Sequence, residues 1–250
     1  LQDTDGQFIG LTVAEDIAFA LENECISQKE MHQSVEKTAQ ELDLEDLLDH
    51  APGELSGGQK QRVSMAGVMI DRVEILLFDE PLANLDPASG KRTIDLIDRI
   101  QKNDHTTIVI IEHRLEDVLY RDVDRIIVIG DGKIAADSKP DALLTTSVLE
   151  AEGIREPLYL TACKYMDIPV LEERKPQHVE TFDLTGMEEK AQKWYHEAQV
   201  QSCKPEGETL LELQQTGFGY LPGQQVLQNI SFQVKKGEML SIVGKNGAGK

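Results

Sequence analysis

Two short runs of apolar residues, 75–78 and 108–111, limit the folds open to this sequence more than any other feature. Each run is far shorter than a membrane-spanning helix. Neither run alternates apolar with polar residues, as a strand with one solvent-exposed face would. Between them, Asp86-Pro87 marks a helix start, with apolar residues at helical spacing after it. This order of strand, helix and strand predicts an α/β fold with a parallel sheet covered on both faces.

Other local signals extend this alternation along the chain. Thr12 followed by Glu15 forms a capping-box signal, which predicts a helix start. Gly130-Asp131-Gly132 lies between two short apolar runs and predicts a hairpin. Further helices are predicted at 28–42, 44–50, 59–71, 86–102 and 116–120, and further strands at 209–215, 226–234 and 239–243. We interpret 150–207, where strand signals weaken and charge rises, as an acidic linker with a polar helix near 190–200.

The charge balance limits the partners that the chain can have. The sequence contains 45 Asp and Glu against 25 Lys and Arg, a formal net charge of −20. Such a chain would repel nucleic acid, and no basic stripe offsets the excess, so we expect no nucleic-acid partner. No apolar run approaches the ~20 residues that a spanning helix needs, so any membrane role must go through a partner. Three scattered cysteines without ligand spacing predict free thiols.

A glycine-rich loop follows the strand predicted at 239–243. It consists of Gly244, Lys245, Asn246, Gly247, Ala248, Gly249 and Lys250. The loop fits the phosphate-binding pattern G-x-x-x-x-G-K, in which backbone N–H groups and a helix N-terminus face phosphate oxygens and the lysine reaches the outer phosphates. It therefore predicts a nucleotide phosphate site; the alternative is an ordinary glycine-rich turn.

A second candidate anion site is the turn Ser56-Gly57-Gly58-Gln59. It opens a predicted helix, and a helix start presents N–H groups and positive potential to an anion. Alone, a Ser-Gly-Gly turn is weak evidence for a binding site. It gains weight from the acidic strand end that follows it in the sequence.

Two carboxylates and an imidazole follow the two apolar runs. Asp79 and Glu80 come directly after the first run, and His113 comes soon after the second. Because ligands of open α/β sheets bind at the carboxyl ends of the strands, we expect all three at one functional edge. There Asp79 can hold Mg²⁺ through water, Glu80 can orient an attacking water, and His113 can donate to a γ-phosphate. The alternative is a capped strand end with solvated charges.

Together these residues resemble the nucleotide-binding domain of the ABC superfamily of ATPases. The resemblance covers about 1–150 and 208–250, with motif order and spacing in agreement. By this resemblance, Gln2 is the Q-loop glutamine, which is also a ligand of Mg²⁺ through water, and the family signature is Ser56, Gly57, Gly58 and Gln59. Asp79 is the Walker B aspartate, Glu80 the catalytic glutamate and Asp86 the D-loop aspartate. His113 is the switch histidine, and Tyr220 is the aromatic residue that stacks on adenine.

The resemblance also implies a fold, cofactors and an activity. The fold is an α/β P-loop NTPase domain, incomplete, over 1–149, with a helical subdomain at about 12–58. The acidic linker over 150–207 and the β-rich start of a second such domain over 208–250 follow. The cofactors are ATP and Mg²⁺, and the catalytic residues of ATP hydrolysis are Glu80, His113 and Gln2. In this family the ATPase domains pair, within or between chains, and work at the cytoplasmic face of the membrane.

A finer resemblance is to the ATPases of energy-coupling-factor importers, carried by 2–8, 12–19 and 112–117. Their partners are a transmembrane scaffold subunit and a substrate-binding membrane subunit. The tandem-domain subgroup is assigned to thiamine or hydroxymethylpyrimidine uptake, and a metal ion is the alternative cargo. Because half of each composite ATP site falls outside 1–250, the 250-residue chain is expected not to turn over ATP. Apolar strands such as 75–78 are expected to expose surface.

Other classes of protein fit less well. A soluble tandem ABC ATPase acting on ribosomes, the main alternative, needs a basic arm to meet RNA phosphates, whereas 150–206 is acidic. A chromosome-repair ATPase needs long heptad helices between its half-motifs, and the sequence has none. A non-catalytic nucleotide sensor has no need of both Glu80 and His113. An ATPase that energises an importer is therefore the leading hypothesis.

Overall fold

The structure is a computed structural model that describes residues 8–71, 73–83, 85–198, 207–220, 223 and 225–244. It divides into two compact units, Leu1–Lys193 and Trp194–Lys250. The helices are α1 (Val13–Asn23), α2 (Gln28–Glu41), α3 (Gly57–Met69), α4 (Pro87–Asp104), α5 (Leu115–Val118), α6 (Pro140–Leu144), α7 (Val148–Ala151), α8 (Leu158–Tyr165) and α9 (Glu188–Glu197). The strands are β1 (Ile75–Asp79), β2 (Thr107–Ile111), β3 (Ile126–Gly130), β4 (Lys133–Ser138), β5 (Thr209–Phe218) and β6 (Leu227–Lys235). Short 3₁₀ turns occur at Glu45–Leu47, Pro52–Glu54 and Glu172–Arg174.

The first helices form where the sequence predicts them, and their caps explain why. The Thr12 hydroxyl accepts the Glu15 N–H at 3.3 Å, and the Glu15 carboxylate accepts the Thr12 N–H at 3.2 Å, which confirms the predicted capping box. Val13 and Ile17 are then fully buried on the face of α1 that contacts α3. They belong to a first core, built mainly from α1–α4 and β1, that supports the sheet.

Strands β1 and β2 pair in parallel, with Ile75 opposite Thr107 and Asp79 opposite Ile111. The predicted strand–helix–strand unit is therefore confirmed. The prediction that this sheet is covered on both faces is wrong for the described residues. Helices α2, α3 and α4 supply apolar side chains to the Leu76 face, whereas Leu77 on the opposite face is 75% exposed. The expected exposure of the apolar run 75–78 is confirmed for Ile75 and Leu77, which are 59% and 75% exposed, and not for Leu76, which is 5% exposed.

The predicted hairpin is confirmed by β3 and β4, which are antiparallel. Its turn places Asp131 at φ 47° and Gly132 at φ 73°, the left-handed conformations that a tight two-residue hairpin turn needs. Val128 on β3 is 3% exposed and enters a second hydrophobic core. The buried members of this core are Leu119, Val128, Leu143, Leu144, Leu149, Leu160, Cys163, Ile168, Phe182 and Met187.

Much of the segment interpreted as a linker lies in that second core. Leu160 and Cys163 of α8 are 1% and 2% exposed, and Phe182 farther along is 7% exposed. The Tyr159 hydroxyl donates to the carbonyl oxygens of Pro176 and Gln177 at 2.5 and 3.0 Å, which closes the loop back onto α8. Residues 150–187 are therefore folded against the preceding hairpin and helices, which the acidic composition did not indicate. The predicted polar helix is present as α9.

The second unit contains the two strands that the sequence predicts at 209–215 and 226–234. These strands, β5 and β6, pair antiparallel. The strand predicted at 239–243 is not formed, and this prediction is wrong. A buried parallel strand needs ladder partners on its flanks, and no described segment pairs with these residues. Met239 is accordingly 98% exposed and Val243 85% exposed.

Two further sequence expectations can be compared with the described residues. None of their helices is both long and apolar enough to span a bilayer. Cys25 is a free, exposed thiol and Cys163 a free, buried one, as predicted for those two residues. Cys203 lies outside the described ranges.

Candidate nucleotide site

The Ser56 turn is a well-formed helix start. Ser56 is the N-cap of α3: its hydroxyl accepts the Gln59 N–H at 3.4 Å, and its own N–H donates to Gln59 Oε1 at 2.8 Å. A side chain at Gly57 or Gly58 would meet no atom within 4 Å, so the turn faces open space. In a helix start the N–H groups of the first turn have no acceptor within the helix. The turn can therefore present backbone donors to an approaching anion.

The acidic pair lies at the carboxyl end of β1, where Asp79 is its last residue and Glu80 the first beyond it. Glu80 has a left-handed backbone, φ 48°, which is uncommon for a residue with a side chain. Its N–H donates to the Ile111 carbonyl at 2.9 Å, which extends the β1–β2 ladder by one bond. Both carboxylates are exposed.

His113 lies at the same edge of the sheet, two residues beyond the end of β2. Its side chain is 70% exposed, and its Nδ1 is 3.2 Å from Glu112 Oε1. The parallel register of β1 and β2 therefore brings Asp79, Glu80 and His113 to one edge of the sheet, which we call the acidic edge. This placement confirms the expected juxtaposition, whereas the roles assigned to the three side chains stay predictions.

Glu112 connects this edge to the turn that follows Glu80, a role that no sequence motif indicated. Its Oε1 accepts the N–H groups of His113 and Arg114 at 2.9 and 3.1 Å. Its Oε2 accepts the Leu82 N–H at 3.2 Å. The only sequence signal for this role is that Glu112 directly precedes His113. A carboxylate at a strand end is ordinarily a solvated charge, so this signal is weak.

Helix α3 is tied to the same turn. The Gln61 side-chain amide donates to the Pro81 carbonyl, so the helix that Ser56 begins contacts the turn after Glu80 directly. The neighbouring Arg62 is half-buried, and this burial lowers the pKa of its guanidinium while the charge of Asp43 opposes the shift. The Ser56 helix and the acidic edge therefore belong to one packed structure.

Asp86 works as a helix cap. Its carboxylate accepts the N–H groups of Ala88 and Ser89, both at 3.1 Å, and the Ser89 hydroxyl at 2.8 Å. It thereby begins α4, as the Asp-Pro signal predicts. A nucleotide contact for Asp86 rests on the family resemblance alone.

The remaining predicted residues fall in the second unit or outside the described ranges. The Tyr220 side chain is 78% exposed, and its ring meets that of Phe218 edge to face with centroids 5.0 Å apart. A flat ring so exposed is accessible for stacking, which stays a prediction. Gly244 is described and exposed. Outside the described residues lie Gln2, Lys245, Asn246, Gly247, Ala248, Gly249 and Lys250.

The acidic edge fits a Mg²⁺ ion that arrives with a nucleotide better than an ion held by protein alone. Among the described residues, no three His, Cys, Asp or Glu side chains cluster as metal ligands. Mg²⁺ is commonly held by one or two carboxylates together with substrate phosphates and water. The exposed Asp79 carboxylate fits that ligand set.

Two family profiles match parts of the chain. One, described as ABC transporter, matches residues 1–83 and thus includes the Ser56 turn, Asp79 and Glu80, but not His113. The other, described as ATP-binding cassette cobalt transporter, matches residues 146–218, which include much of the second core.

Individual relatives agree with these profiles. An ABC transporter ATP-binding protein of Photobacterium profundum is 51% identical over 251 residues, which are 100% of this chain and 44% of that protein. One of Enterococcus faecalis is 53% identical over 252 residues, again 100% of this chain and 44% of the relative. The chain therefore spans less than half the length of the curated relatives it matches.

A solved structure agrees as well. CbiO1 from Clostridium perfringens, described as part of the ABC transporter complex CbiONQ, has a TM-score of 0.56 and 28% identity. The match covers 65% of this chain and 65% of that one. The α/β nucleotide-binding fold with helical parts that the sequence predicts is confirmed by this match and by the ABC profile.

Proposed function

We propose that this chain, which has the α/β fold of an ABC nucleotide-binding domain, is part of a subunit that binds and hydrolyses ATP to energise an ABC transporter. One observation carries the proposal: the β1–β2 register places Asp79, Glu80 and His113 at one sheet edge, beside a turn tied to the Ser56 helix. The relatives named as ABC transporter ATP-binding proteins support it. They give no support to a ribosomal role.

The proposed chemistry is mostly positioning and electrostatics. Asp79 would hold Mg²⁺ through water, and the ion would supply positive charge that neutralises phosphate charge. Glu80 would orient the attacking water, because its carboxylate is exposed at the strand end and its backbone is fixed by the bond to Ile111. His113 would donate a hydrogen bond to the outer phosphate. Gln2 would act together with these three residues. The loop 244–250 and Tyr220 would bind the phosphates and the adenine of a second nucleotide.

We further propose an importer of the energy-coupling-factor type. The resemblance at 112–117 and the match to a CbiONQ component support this class. Its partners would be a transmembrane scaffold subunit and a substrate-binding membrane subunit, at the cytoplasmic face of the membrane. The cargo would be a vitamin precursor such as thiamine or hydroxymethylpyrimidine, or a metal ion. The cobalt-transporter profile over 146–218 favours the metal ion.

ATP hydrolysis by the intact gene product, purified with its membrane partners, tests the catalytic roles. Glu80→Gln and His113→Ala should each lower kcat by roughly 10²–10³-fold, the usual effect of losing one preorganised stabilising group. Glu74→Gln is a matched control, because Glu74 is an exposed carboxylate directly before β1 while Glu80 lies directly after it. Unchanged hydrolysis in both test variants would refute the role assignment.

Uptake by cells lacking the gene tests the transport proposal. Cells complemented with the unaltered gene should accumulate labelled Co²⁺, thiamine or hydroxymethylpyrimidine, and cells complemented with Glu80→Gln should not. The label that accumulates identifies the cargo among these classes. Equal uptake of every label with both genes would contradict transport driven by this ATPase.

A further inference from the structure

Glu112 is the most buried carboxylate at the acidic edge. Its side chain is 2% exposed, although the adjoining His113 side chain is 70% exposed. A buried carboxylate is costly unless hydrogen bonds satisfy it. Three backbone N–H groups do so here, at 2.9–3.2 Å.

The three donors come from two separate segments. His113 and Arg114 follow β2, whereas Leu82 belongs to the turn after β1, two residues beyond Glu80. Within the described residues, Glu112 is thus a single side chain whose two oxygens bind the backbones on both sides of the edge. Each hydrogen bond to a charged acceptor is stronger than one between neutral groups.

Arg114 holds the same turn at a second point. Its Nη1 donates to the Leu82 carbonyl at 3.0 Å, and its Nη2 is 2.6 Å from Asp117 Oδ2. The backbone N–H and C=O of Leu82 are therefore both fixed by side chains that flank His113. Leu82 itself is fully buried, so the turn has little freedom to shift.

We infer that Glu112 is a positioning residue for ATP hydrolysis, which fixes the Glu80 turn and the His113 backbone relative to each other. The inference rests on the proposed function. Glu112 acts through Glu80 and His113, and its carboxylate points away from solvent into backbone donors. The coupling matters because a water-orienting carboxylate and a phosphate-binding imidazole must be correctly placed at the same time.

The substitution Glu112→Gln isolates this role at nearly constant volume. A glutamine has one acceptor oxygen and one NH₂ group, so it can accept from one side of the edge only. Its NH₂ group then faces a backbone N–H, either that of Leu82 or those of His113 and Arg114. The link between the two segments is broken while the side chain still fills its space.

The test uses the intact gene product with its partners, and kcat is expressed per site that binds a fluorescent ATP analogue, so that misfolded protein is not counted. Glu112→Gln should lower kcat by about 10-fold to 100-fold and leave the KM for ATP within about twofold, because the lost bonds position groups for the chemical step. Glu116→Gln, which replaces an exposed carboxylate that accepts the Leu158 N–H at 3.1 Å, should keep kcat.

A double-mutant comparison separates positioning from general loss of stability. Arg114→Lys loses the fork that bridges Leu82 and Asp117, and its effect on kcat should be less than additive with that of Glu112→Gln, because both act on the same turn. Unchanged kcat per site in Glu112→Gln, or fully additive effects, would overturn the inference. If the unaltered protein does not hydrolyse ATP, or if Glu80→Gln hydrolyses it equally well, the proposed function fails and not this inference.

Discussion

Replacing Leu160 by alanine tests whether residues 150–187 are a folded part of the first unit. Leu160 lies in α8, is 1% exposed, and belongs to the core that Leu143 and Leu149 share. Removing a fully buried leucine side chain costs the transfer free energy of the lost carbons and the free energy of the cavity, about 2–5 kcal/mol together. If these residues were a solvated linker, the same substitution would leave the free energy of unfolding almost unchanged.

The buried thiol of Cys163 offers a local readout of this core. Cys163 is 2% exposed, and burial raises the pKa of its thiol, so both access and reactivity require opening. When opening is fast compared with labelling, the labelling rate follows the population of the open form. A loss of 2–5 kcal/mol should therefore speed the labelling of Cys163 by roughly 30-fold to 5,000-fold. Peptide mapping by mass spectrometry distinguishes Cys163 from the exposed Cys25.

Leu158→Ala is the matched control on the same helix. Leu158 is 56% exposed, and truncation of an exposed side chain changes stability by about 0.5 kcal/mol or less. Its labelling rate at Cys163 should stay within about threefold of the unaltered protein. Equal rates for Leu160→Ala and Leu158→Ala would refute the second core and restore the linker interpretation.

Two further predictions rest on local contacts. Thr12→Ala should destabilise α1 by about 0.5–2 kcal/mol, measured by urea unfolding, because the cap on Glu15 is lost. Burial raises the pKa of the Tyr159 hydroxyl above the ~10 of an unfolded tyrosine. The stability that this shift contributes is therefore fully present below pH ~10 and is lost as the pH rises through the folded pKa. Tyr159→Phe should therefore leave the phenolate absorbance between pH 9 and 11 unchanged.

The local architecture of the acidic edge could be predicted because it depends on short-range signals. The Thr12 and Asp86 caps, the Gly132 turn and the apolar runs each specify an element through a few neighbouring residues. The carboxyl ends of two parallel strands then necessarily share an edge, which places Glu80 near His113. The roles of these side chains stay predictions, because placement does not demonstrate chemistry.

The second core and the Glu112 bridge could not be predicted for a different reason. Leu160 and Phe182 are buried by contacts far apart in the sequence, and local acidity conceals them. Glu112 bonds Leu82 thirty residues away, a pairing that no periodicity encodes. The missing strand at 239–243 shows the converse, since a strand signal produces a strand only where ladder partners exist.

The left-handed backbone of Glu80 has an evolutionary consequence. A side chain at φ 48° costs free energy that glycine would not, on the order of 1 kcal/mol. Selection for stability alone would therefore favour glycine at this position, and a library screened only for folding should enrich Glu80→Gly. If Glu80 orients the attacking water as proposed, selection for ATP hydrolysis would oppose this replacement, and the residue at position 80 would distinguish active copies from degenerate ones.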